Sequence, residues 1–495
     1  MEGAPYEPKM PLRRFPSVLA LVLILAVLSA LWPRAAITPL SSYDQRFYLG
    51  MAYDLRHSGR FTDGFSYAGG GPDTIRPPGM RFTPLYPVFL AAMASVDPEL
   101  RRGIDCVERT AGRDPACPRG APRARWAQFL MLAAFYWLLW ATAGRVIGSM
   151  RAGWTALALA LMTAPFLLLS VNTLMTETMS LLLSTAACAA AAEAVSLSSG
   201  HPSSTGRKSS GALATYQSRA VWWLACGLML GLAILSRPAF LYLLWAGLGL
   251  TVVRAIRTQE LRSATDVAML AAGAGIVVLP WILRNALVLH RAALSFGYAS
   301  HTLIQRIAFD AMTRREYGLS FVCWLPDGAG LGKMIAGPHA CDRFGWDEHP
   351  DSFYSIGTGP LMQQSVAAAG GWDHHMSYIL HHYLFAEPLK HMAVTIPMAL
   401  RGLYIDHYWG LLLAPLSVIA IISGARRRQV GILVLSLPAW FMLLFNALVA
   451  VNQPRYNLLL ILPFSLAGAL MIERLLASGQ PATRAPGQRQ KETFS

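Results

Sequence analysis

The chain has 495 residues, of which 54% are hydrophobic and only 14% are charged. Because a soluble protein is about one quarter charged, this deficit places the chain among polytopic membrane proteins. In such a protein the formal net charge of +15 matters through the location of the basic residues, so it does not indicate nucleic-acid binding.

Apolar runs follow one another from the N-terminus to residue 475. The first run follows Arg13 and Arg14, as in a signal peptide, but the many later runs favour an uncleaved first helix. Several runs are shorter than the about 20 residues of a straight span, which proline breaks can explain. The predicted transmembrane helices are 16–34, 126–146, 152–172, 176–197, 219–236, 238–253, 265–283, 407–424, 429–450 and 456–475.

The short connections predict the orientation, because basic loops stay on the cytoplasmic side. If both termini are cytoplasmic, the basic residues of these connections all lie inside, where acidic residues are few. They are Arg145, Arg151, Arg207, Lys208, Arg219, Arg254, Arg257, Arg262, Arg426, Arg427 and Arg428, with Arg474, Arg484, Arg489 and Lys491 in the C-terminal tail. We therefore expect a multi-pass protein of the plasma (inner) membrane with two long exterior segments, 35–125 and 284–406.

These predictions define the domain organisation. Residues 1–475 form a single all-α transmembrane domain, 196–211 is a flexible cytoplasmic loop, and 476–495 is a disordered cytoplasmic tail. The chain has no Walker motif and no dinucleotide fingerprint, which argues against an ATP-driven pump.

The cysteines give a second indication of the compartment. Cys106 and Cys117 lie in the first long segment, and Cys323 and Cys341 lie in the second. Two close pairs in exterior segments predict two disulfides formed in an oxidising compartment, and the alternative is four free thiols. The pairs lack the CxxC spacing of a zinc site.

Two shorter apolar stretches predict helices at the outer membrane interface. Residues 84–96 are too short to span comfortably, and 387–405 are interpreted as a second interfacial element. In the second stretch, Lys390 and Arg401 are expected to extend to the lipid headgroups.

The stretch 44–55, "DQRFYLGMAYDL", has apolar residues at helical spacing and predicts an amphipathic interfacial helix. Asp44 is its first residue or its N-cap, where free backbone amides favour a carboxylate. Its alternative role is that of a catalytic base. Asp54 lies beside Arg56 in what we interpret as a charged surface turn.

Other charged residues come to the same side of the membrane. Glu177 lies at the outer end of the hairpin 152–197, where it either supports a helix N-terminus or acts in a site. Arg76 and Arg81 each precede prolines, and either snorkel to lipid or bind a lipid-linked phosphate. Further residues at outer helix ends are Arg237, Arg284, Arg455 and Tyr456.

The convergence of these helix ends favours a site. Acids and arginines together at one face predict an anionic substrate and a base. A metal site from His374, His381 and Asp373 is an alternative use of the histidines, against the interpretation of a solvated polar helix.

The ordered motifs resemble a known family. The acidic residue of "YDQ" is followed by "A..L...GRF", a basic-Pro-Pro element and "PLYPVFLA", then by "NTLMTETMSLLL", "GLAILSRP", "LPWILRN" and "QPRYNLLLILP". This set, over most of residues 16–475, is similar to the GT-C superfamily of membrane glycosyltransferases. The nearest branch contains protein mannosyltransferases, aminoarabinose transferases and rhizobial galacturonosyltransferases.

The resemblance implies a GT-C-like bundle of about ten transmembrane helices with interfacial helices in the long exterior segments. It also implies an inverting glycosyltransferase that uses a polyprenyl-phosphate-linked sugar and a glycan, lipid or protein acceptor at the periplasmic side. Membrane lipids are expected partners, and nucleic acid is not.

The resemblance also assigns roles to individual residues. Asp44 would be the general base on the acceptor hydroxyl, and Arg284 and Arg455 would hold the lipid phosphate, assisted by Arg76 or Arg81. Glu177 would orient the acceptor or a metal. Many relatives carry two adjacent acids at the first motif, whereas here the second position is Gln45, which favours a metal-independent base and leaves a divalent metal open.

Two other functions remain as alternatives. A transporter or flippase of a lipid-linked sugar would use the same arginines without a base, although the chain shows no inverted repeat. A structural or assembly protein would use the exterior segments to bind a partner.

Overall fold

The structure is a computed structural model that describes residues 14–42, 44–71, 73–114, 116–198, 210–259, 261–346 and 349–478. Within these ranges the chain is helical and contains no strand. The helices are α1 (Arg14–Leu31), α2 (Gln45–Ser58), α3 (Gly64–Ala68), α4 (Leu85–Val96), α5 (Pro98–Arg109), α6 (Pro122–Ile147), α7 (Met150–Leu161), α8 (Ala164–Asn172), α9 (Glu177–Ser198), α10 (Ser210–Ser236), α11 (Phe240–Thr258), α12 (Leu261–Leu289), α13 (Tyr298–Ile307), α14 (Arg314–Cys323), α15 (Gly328–Ala336), α16 (Phe353–Thr358), α17 (Pro360–Ala368), α18 (Trp372–Ile379), α19 (Pro388–Leu403), α20 (Tyr408–Arg426), α21 (Val430–Val449) and α22 (Ile461–Ser478).

The predicted transmembrane helices are confirmed. In the described part of the chain, nine helical stretches are long and apolar enough to cross a membrane, and α7 with α8 makes a tenth that is bent by 58°. Each of the ten overlaps one predicted span. The bend lies just before Pro165 in the first turn of α8, because proline lacks the N–H that would continue the hydrogen-bond ladder. Most of the predicted flexible loop and tail, at 199–209 and 479–495, lies outside the described residues.

Helices α10 and α12 approach each other through glycine. A Cβ atom added to Gly227 would lie 2.3 Å from the carbonyl oxygen of Leu270, and one added to Gly273 would lie 2.3 Å from that of Leu224. Small residues allow such backbone contact between membrane helices. The contact fixes α12, whose far end carries Arg284.

Polar contacts tie the helix ends together at the end of the bundle that carries the basic connections. Arg145 at the end of α6 pairs with Glu193 in α9 at 2.8 Å, and the Ser149 hydroxyl donates to Glu473 at 2.9 Å. Arg219 in α10 pairs with Asp266 in α12.

The two long segments lie side by side at the opposite end. The backbone N–H of Phe296, in the second segment, donates to the carbonyl oxygen of Met80, in the first, at 3.1 Å. Helices α2, α4 and α5 of the first segment share a core that includes Leu49, Leu90 and Ile104. Both segments therefore face the same side of the bundle, as the alternation of spans requires.

The two predicted interfacial helices correspond to α4 and α19, but the two basic residues of α19 differ in their environment. Lys390 is partly exposed and pairs with Glu387 at 3.0 Å. Arg401 is only 8% exposed and stacks on Trp324 and Trp346. The expectation that Arg401 reaches the lipid headgroups is therefore wrong, because aromatic side chains of the second long segment enclose it.

Both predicted disulfides are confirmed. Cys106 bonds Cys117 in the first long segment, and Cys323 bonds Cys341 in the second. The first bond joins α5 to the loop before α6. The second fixes the end of α14 beside α15.

Candidate active site

Asp44 directly precedes α2 and takes the N-cap position, as the sequence predicts. Its backbone is already helical, with φ −70° and ψ −14°, and its side chain makes no capping hydrogen bond. Capping residues usually adopt an extended conformation that turns the carboxylate back towards the first amides. The predicted capping role of Asp44 is therefore wrong, and its carboxylate, with 45% of the side chain exposed, points elsewhere.

Gln45, which follows Asp44, is fully buried. Its side-chain amide donates to the carbonyl oxygen of Pro39 at 2.6 Å and to the hydroxyl of Thr38 at 3.3 Å. The residue that replaces a second acid therefore anchors the chain before α2, and it holds the neighbouring Asp44 in position.

Arg455 joins Asp44 to two other parts of the chain. It lies in the 3-10 helix Pro454–Leu460, which continues into α22. Its Nη2 lies 3.2 Å from Oδ2 of Asp44, and its Nη1 lies 3.9 Å from Oε1 of Glu177. Its Nε donates to the side-chain oxygen of Gln453 at 2.9 Å, which orients the guanidinium plane. One cation thus lies between two carboxylates.

Glu177 is the first residue of α9 and is 2% exposed. The positive end of the helix dipole favours a carboxylate at this position, as the capping interpretation proposed. Its Oε2 atom, however, is buried and has no hydrogen-bond partner. A carboxylate oxygen without a partner is costly to bury, so this atom retains unused hydrogen-bonding capacity.

Arg237 and Tyr456 complete this group. Arg237 lies in the break between α10 and α11, and its guanidinium carbon is 4.9 Å from the centre of the Tyr456 ring. On the same ring, the guanidinium carbon of Arg455 is at 5.3 Å. Among the described residues, Arg237 has no ion pair, so its charge is free to bind an anion.

A cavity adjoins the two arginines. We call it the arginine cavity; its lining residues are Ser180, Leu181, Ser184, Arg237, Phe240, Met442, Arg455, Tyr456, Leu458 and Leu459. Leucine, methionine and phenylalanine form its walls, and positive charge is confined to Arg237 and Arg455. Its volume of about 10 Å³ is about that of one water molecule, so it admits a small polar group beside the two arginines and is too small for a lipid chain.

Tyrosine side chains surround Asp44. Tyr48, Tyr67 and Tyr298 lie near enough for the Asp44 charge to act on their hydroxyls, and burial, the larger effect, raises the pKa of each. The three phenols therefore stay neutral at physiological pH and can donate hydrogen bonds. Sequence reasoning missed Tyr67 and Tyr298 as site residues, because no local pattern separates them from other aromatic residues of the long segments.

Arg284 lies outside this group and makes hydrogen bonds that connect the first long segment to α12. Its guanidinium donates to the carbonyl oxygens of Gly79 at 2.7 Å and of Phe61 at 2.8 Å, and to the side-chain oxygen of Asn285 at 2.9 Å. These bonds fix the first long segment against α12. With three bonds already made within the protein, Arg284 is a weaker candidate for a phosphate than Arg237.

Each guanidinium nitrogen of Arg76 has a hydrogen-bond partner within the protein. It is 2% exposed, pairs with Asp54 at 2.6 Å and with Glu108, and donates to the carbonyl oxygens of Gly69, Gly70 and Gly71. We therefore leave Arg76 out of the proposed site. Asp54 is itself buried, so the interpretation as a surface turn is wrong: it pairs with Arg76 across 22 residues of sequence.

Arg81, the alternative to Arg76, makes fewer polar contacts within the described part of the protein. Its guanidinium carbon lies 4.1 Å from the centre of the Tyr67 ring and 5.6 Å from that of Trp372, and its buried Nε has no hydrogen-bond partner. No carboxylate of the described residues forms an ion pair with it. The charge of Arg81 is therefore not offset by an ion pair among the described residues, and it lies beside the ring of Tyr67.

The histidine alternative is not assembled as a metal site in the part of the chain that the structure describes. Asp373 pairs with Arg291 at 2.5 Å, and no cluster of metal-ligating atoms includes His374 or His381. The one cluster with suitable spacing contains Cys106 and Cys117, whose sulfurs are bonded to each other.

No protein-family model and no curated protein matches the chain. Among solved structures, it is similar to the oligosaccharyltransferase of Archaeoglobus fulgidus in the apo form, with 11% identity and a TM-score of 0.46 over 96% of this chain and 53% of that chain. The same enzyme, AglB, in complex with an inhibitory peptide and a dolichol-phosphate gives 12% identity and a TM-score of 0.45 over 95% and 53%. ArnT of Cupriavidus metallidurans bound to undecaprenyl phosphate gives 14% and 0.35 over 93% and 78%.

This chain thus spans about half the length of the oligosaccharyltransferase. Because the TM-scores lie below 0.5, the function is argued below from the residues of this chain.

Proposed function

We propose that this protein transfers a sugar from a polyprenyl-phosphate donor to an acceptor hydroxyl, with Asp44 as the general base. The observation that carries this proposal is the partly exposed Asp44 carboxylate, held by Arg455 at 3.2 Å beside the arginine cavity. In this proposal the two long segments face the periplasm from the plasma (inner) membrane, and the termini are cytoplasmic.

The arginine cavity suits the donor. Its apolar lining, which includes Leu181, Phe240 and Met442, would face the first isoprene units of a lipid that lies outside the cavity. Arg237, which has no acidic partner among the described residues, would bind the phosphate in a fork geometry. Arg455 would contribute the rest of the positive charge, since the leaving phosphate needs charge stabilisation and no proton.

Asp44 suits the base. The ion pair with Arg455 engages Oδ2, while Oδ1 has no hydrogen-bond partner among the described residues. A hydroxyl that donates to Oδ1 could lose its proton as its oxygen attacks the sugar from the side opposite the phosphate. A single displacement of this kind inverts the anomeric centre.

The substitution Asp44→Asn tests the proposal, because it removes the base and keeps the size of the side chain. General-base catalysis is worth about 10² to 10⁴ in rate, so we expect the product to fall below detection. The measurement compares glycolipids, cell-wall glycans and glycoproteins by mass spectrometry in cells that lack the gene or express the wild type or a variant.

Asp373→Asn is the matched control. Asp373 is also a partly exposed aspartate paired with an arginine, at 2.5 Å, and it lies outside the proposed site. We expect this control to make the wild-type product. Wild-type product from Asp44→Asn at equal membrane abundance would instead favour a transporter, because translocation of a lipid-linked sugar needs no base.

A further inference from the structure

Arg401 in α19 is a buried cation that the proposed reaction does not use. Its guanidinium carbon lies 5.1 Å from the centre of the Trp324 ring and 4.6 Å from that of Trp346. Its residue exposure is 8%, and its Nη1 atom is buried without a hydrogen-bond partner. No carboxylate of the described residues forms an ion pair with it.

An arginine in this environment is costly to keep. Removing a charge from water without a partner is unfavourable, and two indole faces return part of that cost. Burial lowers the pKa of Arg401 to about 10, so the side chain stays charged at physiological pH. The buried donor of a charged group that has no partner indicates a place for an anion.

Arg401 lines a cavity of about 340 Å³, which we call the tryptophan cavity. Its wall includes the aromatic side chains of Phe166, Trp324 and Tyr404, and the disulfide-bonded Cys323 precedes Trp324 directly. Flat aromatic faces beside a cation suit a saccharide that carries a negative charge, because the apolar face of a sugar ring packs on an aromatic ring. Asp406 also lines the cavity, and burial raises the pKa of its carboxyl group, which weakens its repulsion of an anion.

The backbone of the cavity wall is strained. Asp406 and His407, which both line the cavity, have φ angles of 48° and 55°, in the left-handed region that non-glycine residues rarely adopt. Such strain persists where the surrounding structure holds it, and it concentrates at functional sites.

The tryptophan cavity lies close to the proposed active site. Pro454 lines it, and the next two residues, Arg455 and Tyr456, line the arginine cavity. Two cavities thus meet at one short segment, the first with Arg401 and the second with Arg237.

We propose that the tryptophan cavity binds an anionic saccharide, with its carboxylate or phosphate on Arg401 and a sugar ring against the aromatic wall. This inference rests on the proposed function in one respect: the saccharide would be the acceptor. Binding itself requires neither Asp44 nor the lipid-linked donor.

The test is a binding titration on the purified full chain in nanodiscs of zwitterionic lipid. The probes are a glucuronate-containing oligosaccharide, glucose 6-phosphate and a neutral oligosaccharide of equal length. We expect an acidic probe to bind. The neutral probe should bind at least about tenfold more weakly, since a charged hydrogen bond is worth about 1.5–3 kcal/mol. Equal binding of acidic and neutral probes would overturn the inference.

Arg401→Met removes the charge and keeps an apolar side chain of similar length. We expect this variant to lose about tenfold or more in affinity for the acidic probe, with a thermal midpoint equal to or above that of the wild type, because it removes an unpaired buried charge. Arg401→Lys should keep part of the affinity and reports on binding if the methionine variant does not fold. Wild-type affinity in a folded Arg401→Met variant would contradict the inference.

Arg343→Met is the matched control in the same segment. Arg343 also lies on an aromatic ring, that of Phe353 at 4.3 Å, but its charge is neutralised by Glu316. We expect this control to bind the acidic probe as the wild type does. Loss of binding in both variants would assign the effect to the net charge of the segment and overturn the site.

Two further arms separate the possible failures. Nanodiscs that contain phosphatidylglycerol test whether a lipid phosphate occupies Arg401: competition with the acidic probe would assign the cavity to lipid and overturn the saccharide. Asp44→Asn should bind the acidic probe normally while making no product. If the wild type binds the acidic probe but transfers no sugar, the proposed function is rejected and the binding inference stands.

Discussion

Arg76 and Arg455 each lie between two carboxylates, but water reaches only the second group. Around Arg76, the side chains of Asp54 and Glu108 are at most 6% exposed. Around Arg455, the side chain of Asp44 is 45% exposed, although that of Glu177 is 2% exposed. We call these the closed triad (Asp54, Arg76, Glu108) and the open triad (Asp44, Arg455, Glu177).

The difference lies in the exposure of one carboxylate, because each triad contains a buried carboxylate oxygen without a hydrogen-bond partner, Oε2 of Glu108 and Oε2 of Glu177. In the closed triad, backbone carbonyls of residues 69–71 occupy the donors that the carboxylates leave free. In the open triad, the Asp44 side chain is 45% exposed, and its Oδ1 has no hydrogen-bond partner among the described residues. The same three charges therefore stabilise the fold in one place and remain available to a substrate in the other.

The strongest way to break this comparison is to neutralise one aspartate in each triad. Asp54→Asn should destabilise the protein by about 3–5 kcal/mol, because it leaves a buried arginine without one of its partners. Asp44→Asn should cost about 0–1 kcal/mol, as for an exposed pair. Thermal unfolding in detergent measures both. An equal loss of stability in the two variants would show that the open triad is also structural.

A second pair of variants separates the arginines by function. Arg237→Met should slow transfer about tenfold to a hundredfold, mainly through the KM of the lipid donor, because one charged contact to phosphate is worth about 1.5–3 kcal/mol. Its thermal midpoint should not fall, since Arg237 has no ion pair among the described residues.

Arg284→Met should behave in the opposite way. It leaves the carbonyl oxygens of Phe61 and Gly79 without their donor, which we expect to cost about 1–3 kcal/mol of stability. Its donor KM should stay near the wild-type value. If the donor KM is raised in folded Arg284→Met and unchanged in Arg237→Met, phosphate binding would be assigned to Arg284 instead of Arg237.

The transmembrane helices could be predicted because their signal is local. A run of apolar residues is sufficient, and the ten predicted spans follow the observed ones to within a few residues. The disulfides could be predicted for a similar reason, because each pair is close in sequence, with separations of 11 and 18 residues.

The charge pairing could not be predicted, because the partners are far apart in sequence. Arg76 and Arg81 look alike, since each precedes a proline-containing turn. What distinguishes them is that Asp54 and Glu108, 22 and 32 residues from Arg76, fold against it. Asp44 and Arg455 are 411 residues apart. The order of the spans placed both at the outer face, but it did not indicate that they form an ion pair.

The burial of single polar residues could not be predicted from the sequence either. Arg401 has the helical spacing of a residue at a membrane interface, yet Trp346, far earlier in the chain, covers it. Whether an arginine snorkels or is enclosed depends on this tertiary packing, which α19 alone does not encode.

The smallest expected effect concerns the pH response near the open triad, beside Arg81. Burial, followed by the charges of Arg81 and His375, lowers the pKa of His301 from 6.5 to about 4. Between these values the unfolded chain is protonated at this residue and the folded protein is not, so stability falls as the pH drops from 6.5 to about 4. Above pH 6.5 the histidine is neutral in both states and contributes no pH dependence.

His301→Gln should therefore flatten the decline of the thermal midpoint across this pH window. Glutamine keeps an acceptor for the Gln305 amide, which lies 3.0 Å from the histidine ring. His382→Gln is the control, because His382 is exposed and contacts the carbonyl oxygen of Tyr378 at 3.2 Å, with no carboxylate partner among the described residues. We expect the wild-type decline from this control. An unchanged slope in His301→Gln would mean that carboxylates, such as those of the two triads, cause the whole acid response.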